Sequence, residues 1–145
     1  MPLEFLITGL TSDDSDILLT ASGLCEGQLV WEALVLLVAL RVWKPRWHQR
    51  RVSLTFIGDN TGMRPPTGST ALGIISREMG LDLADGVYAP DVIQHVPGIS
   101  NVQADLLSRR FDPSYAERWS LPPSLANVTQ ANVPKRDRAF YRSLQ

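Results

Sequence analysis

Apolar positions change period along this chain, and the changes divide it into elements. Leu3 to Thr8 is a short extended run closed by Gly9, and Thr11 to Asp16 is an acidic, turn-rich connector. After Gly23 and Gly27, Leu29, Val30, Leu34, Leu37, Val38 and Val42 recur at helical spacing until Pro45, which predicts a helix over 28–43. That helix is apolar around nearly its whole circumference, so it must be buried on most sides, with Glu32 inside it.

Arg51 to Ile57 is β-branched and aromatic and ends at Gly58-Asp59-Asn60, which reads as a strand delivering an acid to its carboxyl end. Gly62, Pro65, Pro66 and Gly68 forbid regular structure before Thr70, where Leu72, Ile75, Met79 and Leu83 predict a second helix ending near Asp85-Gly86. Asp91 to Val96 predicts another strand and Asn101 to Arg110 another helix. Residues 111–145 carry Pro113, Pro122, Pro123 and Pro134 and show no convincing core face beyond a short helix at 136–144. The alternation of strand and helix predicts an α/β layer with parallel strands joined by right-handed crossovers, and acids at the carboxyl ends of such strands belong to a site.

Length and composition permit one core, since 145 residues at 44% hydrophobic and 20% charged are globular values. Net charge is −1, yet residues 106–145 hold seven basic against three acidic side chains, a basic tail that is either solvated surface or apposed to a polyanion. Cys25 is the one cysteine, which excludes an internal disulfide and a cysteine-rich zinc site. The most apolar run, Ala33 to Leu40, is far below the roughly 20 residues a membrane helix needs. No secretory leader is visible, and the expectation is an intracellular protein, cytoplasmic or nuclear, without a membrane partner.

Three acids stand out: Glu32 in the apolar helix, Asp59 at a strand end and Asp105 on the helix after the last strand. An acid on an apolar face is costly unless a cation meets it, and a divalent metal is one such cation. Each also has a plain structural reading. Glu32 could be solvated or pair with an arginine, Asp59 could cap a turn, Asp105 could pair with Arg109, and His95 could satisfy a backbone carbonyl.

Taken together, Gln28-x-x-Trp-Glu-Ala-Leu, Gly58-Asp-Asn-Thr and Val92-Ile-Gln-His-Val-Pro-Gly-Ile-Ser-Asn-Val-Gln-Ala-Asp-Leu-Leu-Ser-Arg resemble the RNase H domain that follows reverse transcriptase in gypsy-like retrotransposon polyproteins. The third segment matches every fixed position of the pattern His-x-Pro-Gly-x-x-Asn-x-x-Ala-Asp-x-Leu-Ser-Arg. The resemblance covers about residues 3–110 and divides the chain into an RNase H-like part, 1–110, and a basic, proline-containing tail, 111–145.

What the resemblance implies is a three-layer RNase H-like fold and a magnesium-dependent endonuclease acting on the RNA strand of an RNA/DNA hybrid, with two metals about 3.5–4 Å apart. Glu32 and Asp59 would hold the second metal, Asp105 the metal that activates water, and His95 would assist proton transfer and product release. The family's first acid and first two strands have no counterpart here, so the expectation is an incomplete, inactive fragment with strand edges open to other chains. Gly58 also replaces a common Ser, and Pro65-Pro66 interrupts the helix start after Asp59. The alternative expectation is a non-catalytic nucleic-acid-binding or protein-interaction module.

Overall fold

A computed structural model describes residues 4–18, 25–47, 52–58, 70–85, 88–95, 106–115 and 117–145. The elements are β1 (Glu4–Phe5), α1 (Ser12–Leu18), α2 (Cys25–Val42), α3 (Lys44–Trp47), β2 (Val52–Gly58), α4 (Thr70–Asp85), β3 (Tyr88–His95) and β4 (Thr129–Gln130). Residues 106–108 form a helical turn, and 3₁₀ turns occupy Pro123–Leu125, Arg138–Phe140 and Arg142–Leu144. The architecture is mixed and helix-rich, and among the described residues no helix is long and apolar enough to cross a membrane.

Strands β2 and β3 pair in parallel from Val52↔Tyr88 to Gly58↔His95 and are joined through α4, as parallel strands require. The register shifts between Leu54 and Thr55, opposite Pro90 and Val92, leaving Asp91 as the extra residue. Pro90 has no N–H to give the ladder, which accounts for the irregularity there. It also hid the first part of β3, since the sequence predicts a start at Asp91 while the strand begins at Tyr88.

The other pairing was not foreseen. β1 lies parallel to β4 with Glu4↔Thr129 and Phe5↔Gln130, and the Ala131 N–H continues the ladder by donating to the Phe5 carbonyl at 2.7 Å. Among the described residues the four strands form two separate two-stranded sheets. An expected open edge on β1 is therefore occupied by the chain's own C-terminal segment.

α2 packs on α4, and the apolar spacing explains how. Val30, Ala33, Leu34, Leu37, Val38 and Leu40 are buried on α2, while Val35 is 42% exposed. α4 answers with Ala71, Leu72, Ile74 and Ile75 in its first two turns, while Leu18 of α1 and Tyr141 close the same cluster. Burial of a leucine or isoleucine side chain here contributes about 1.5–3 kcal/mol, so this cluster carries the helical pair.

Two stretches differ from the sequence reading. Thr11 to Asp16, expected as a connector, lies at the start of helix α1, because Thr11 and Asp14 cap one another across its first turn. The 111–145 segment, in which no convincing core face was visible, places Leu125 at 2%, Arg136 at 5% and Tyr141 at 0% exposure. A periodic pattern could not announce this, since the segment contributes single anchors rather than a continuous stripe. The expected helix at 136–144 is two 3₁₀ turns.

Candidate functional site

Of the residues singled out by motif, Glu32 and His95 fall within the described residues. Glu32 is half-buried on α2. Arg41 lies nine residues further on, about two and a half helical turns, so these two charges of α2 stand on opposite faces. The Glu32 face also carries the exposed Val35 and is not the stripe that meets α4. His95 is the last residue of β3 and the Cα partner of Gly58, the residue before Asp59 in sequence. Asp59 and Asp105 lie outside the described residues, as do the loop with Pro65-Pro66 and Asn101 to Asp105 at the start of the expected last helix. Among the described residues no three His, Cys, Asp or Glu side chains are grouped so as to hold a metal.

The structure instead assembles two arginine–carboxylate clusters that motif reading did not find. In the first, Asp14 is fully buried and accepts three hydrogen bonds: from the Thr11 N–H at 3.0 Å, from Arg136 Nε at 2.9 Å and from Arg136 Nη2 at 2.8 Å. Its own N–H donates to Thr11 Oγ1 at 3.1 Å, completing a reciprocal cap. Arg136 spends its other donors on Thr8 Oγ1 and the Gly9 carbonyl, both at 2.7 Å. The fork geometry of guanidinium matches the carboxylate, and the buried charges answer one another.

In the second cluster, Arg41 at the end of α2 reaches Glu78 at 2.8 Å and Asp82 at 2.9 Å, one helical turn apart on α4. Its Nη1 donates to the Phe140 carbonyl, and its guanidinium lies 4.5 Å from the Phe140 ring centre. Glu78 also accepts from the backbone N–H groups of Arg142 at 2.5 Å and Ser143 at 2.6 Å, so a 3₁₀ turn of the C-terminal segment docks on a buried carboxylate. Burial pushes the Glu78 carboxyl up, but hydrogen bonds from Ser143, Arg41 and Arg142 outweigh it and hold the group below its ordinary 4.5. Burial likewise works against the Arg41 charge, and Asp82 and Glu78 more than restore it.

These contacts change the reading of the basic tail. Arg136 and Arg142 answer acids of α1 and α4, so part of the positive excess of residues 106–145 is spent within the molecule. A signal for Asp14 was present in the sequence, since Thr11-Ser-Asp-Asp14 fits a capping pattern. Nothing local marked Arg136, whose partner is 122 positions away.

A third feature is on the surface. Arg110 stacks on Phe111 and Trp119 at 5.3 and 5.0 Å, and Arg109 and Arg118 both lie on Tyr115 at 4.9 and 5.1 Å. The Trp119 indole N–H donates to the Leu106 carbonyl at 2.6 Å and anchors the group to the preceding helical turn. Phe111 is 60% exposed.

Comparison with protein-family models, with curated proteins and with solved structures gave no significant match to this chain.

Proposed function

We propose that the chain is an RNase H-like domain of a retroelement reverse transcriptase polyprotein, descended from an enzyme that cuts RNA in RNA/DNA hybrids, and that these 145 residues alone do not make that cut. One observation carries the reading: in the parallel pairing of β2 with β3, Gly58 and His95 are Cα partners at the carboxyl ends of the two strands. The residue after Gly58 is Asp59, and His95 opens the His-x-Pro-Gly motif that runs to Asp105. A shared strand end is where open parallel sheets bind ligands, which supports a common site for the motif residues. Glu32, half-buried on the α2 face away from α4, is the third donor of the reading.

Carboxylates are the hard oxygen donors that magnesium prefers, so the donor chemistry of Glu32, Asp59 and Asp105 suits that ion. A bound magnesium pair would activate water and stabilise the leaving oxygen of the scissile phosphate. The chain supplies no counterpart of the family's first acid, the ligand shared by both metals, and on that the proposed inactivity rests.

Two measurements test this. Incubation of the purified chain with a labelled hybrid and magnesium gives no cleavage, and magnesium-dependent cleavage lost in Asp105→Asn would overturn the inactivity. Manganese, added as a paramagnetic substitute, broadens amide signals around Glu32, Asp59 and Asp105 together, less so in Asp105→Asn. Broadening scattered over unrelated acids removes the proposed site. The second reading, a non-catalytic nucleic-acid-binding module, is favoured by the guanidinium–aromatic stacks of residues 109–119.

A further inference from the structure

We propose that residues 109–119 and the depression beside Phe111 bind single-stranded nucleic acid, with bases stacking on aromatic rings and phosphates meeting guanidinium groups. This gives the second reading a surface and a ligand class, and it does not depend on the acids of the nuclease reading.

A guanidinium stacked on a ring keeps its in-plane N–H edge for an acceptor, and that edge matches two phosphate oxygens. Among the described residues, the guanidinium contacts of Arg110 are the faces of Phe111 and Trp119, which leave its donors unspent. Arg118 uses one donor on the Ser114 carbonyl at 3.0 Å while lying on Tyr115. Asp112 accepts from the Ser114 N–H at 2.9 Å and hydroxyl at 2.7 Å and also feels the Arg109 charge, so Arg110 and Arg118 are the cations of this surface that phosphates would meet.

The rings supply the second half. Phe111 lies against Gly9 so closely that a Cβ there would come within 2.9 Å of the ring, yet the side chain remains 60% exposed. Gly9 is thus what lets the ring sit at this depth. Phe111 also borders an open depression of about 530 Å³ that Leu10, Val133 and Pro134 line together with Lys135 and one acid, Asp13. A flat ring beside an apolar floor and a lysine suits a nucleobase and its phosphate. Unpaired bases offer faces for such stacking, and paired ones in a duplex do not.

The test is fluorescence anisotropy with a labelled oligouridylate, run in a chelator so that no metal site contributes. The chain binds it, and binds the corresponding duplex more weakly. Phe111→Leu keeps apolar cover on Gly9 but loses the ring, and affinity falls about tenfold, the scale of one base–aromatic stack. Arg110→Gln and Arg118→Gln each lower the slope of log affinity against log salt by about 0.7, the loss of one phosphate contact on a single strand. Arg138→Gln, exposed and outside the surface, changes neither quantity. Unchanged melting of each variant excludes a folding defect. Wild-type affinity in Phe111→Leu, or displacement by polyglutamate as readily as by unlabelled oligouridylate, overturns the proposal. Since magnesium is absent, failure here leaves the acid site untouched, and failure of manganese broadening leaves this surface untouched.

Discussion

Arg136 and Arg142 belong to the same C-terminal segment and both meet carboxylates on helices, but they do so in different solvents. The side chain of Arg136 is 4% exposed and that of its partner Asp14 0%, whereas the side chain of Arg142 is 42% exposed and that of its partner Asp85, at 2.7 Å, 44%. Water screens the second pair and substitutes for either partner when the other leaves. In the first pair neither charge has that recourse, so each holds the other in place. Proximity alone would rank the contacts equally, and burial separates them.

Substitution sharpens the contrast. Arg136→Ala leaves Asp14 buried without its cation and costs about 3–5 kcal/mol in urea unfolding, undocking the C-terminal segment from α1. A loss below about 1 kcal/mol, the level of a solvated pair, would erase the distinction between the two sites. Next is Glu78→Gln, which keeps the shape but turns charge-assisted bonds into neutral ones at a cost of about 1.5–3 kcal/mol. Because the native Glu78 carboxyl sits below its ordinary 4.5, its contribution is present above that pH and lost as the pH falls through the native value. The gap between wild type and Glu78→Gln therefore closes in acid, and a gap constant with pH contradicts the assignment.

Tyr141 feels the charges of both clusters, and burial, then Asp14, push its phenol up to about 12. Its hydroxyl is buried with no hydrogen-bond partner among the described residues. Tyr141→Phe keeps the edge-to-face contact with Phe140, 5.1 Å between ring centres, and is neutral or stabilising by about 1 kcal/mol by chemical denaturation. The smallest effect belongs to Arg142→Gln: the backbone N–H that docks on Glu78 remains, the half-exposed Asp85 pair goes, and buried Asp82 loses one partner but keeps Arg41, for about 0–1 kcal/mol. A loss as large as that of Arg136→Ala would show that burial is not the deciding variable.

Much of the element order could be read from the chain. The spacing of Leu34, Leu37 and Val38 predicts α2, and α4 runs over Thr70–Asp85 as the apolar positions imply. β2 follows from its β-branched run, and β3 from Val92 and Ile93, with its first residues masked by Pro90. Helix α1 reads as a connector although Thr11 and Asp14 carry its capping signal, because acidic and turn-forming residues outweigh its two apolar ones, Ile17 and Leu18. For the candidate site, motif spacing named Glu32, Asp59, His95 and Asp105. Of their arrangement, the described residues supply the Gly58↔His95 register and the half-buried place of Glu32 on α2.

By itself the sequence determined α2, β2, α4 and the body of β3 and that the chain needs a shared core, since these follow from periodicity and proline positions. Only the tertiary structure decided that the C-terminal segment closes the molecule, through β4 on β1 and through Arg136 and the Arg142–Ser143 N–H groups on Asp14 and Glu78. Those partners lie from 64 to 125 residues apart. Pairing over such distances is selected by which charges and strand edges remain unsatisfied once the core has formed, and no local pattern in the chain records that.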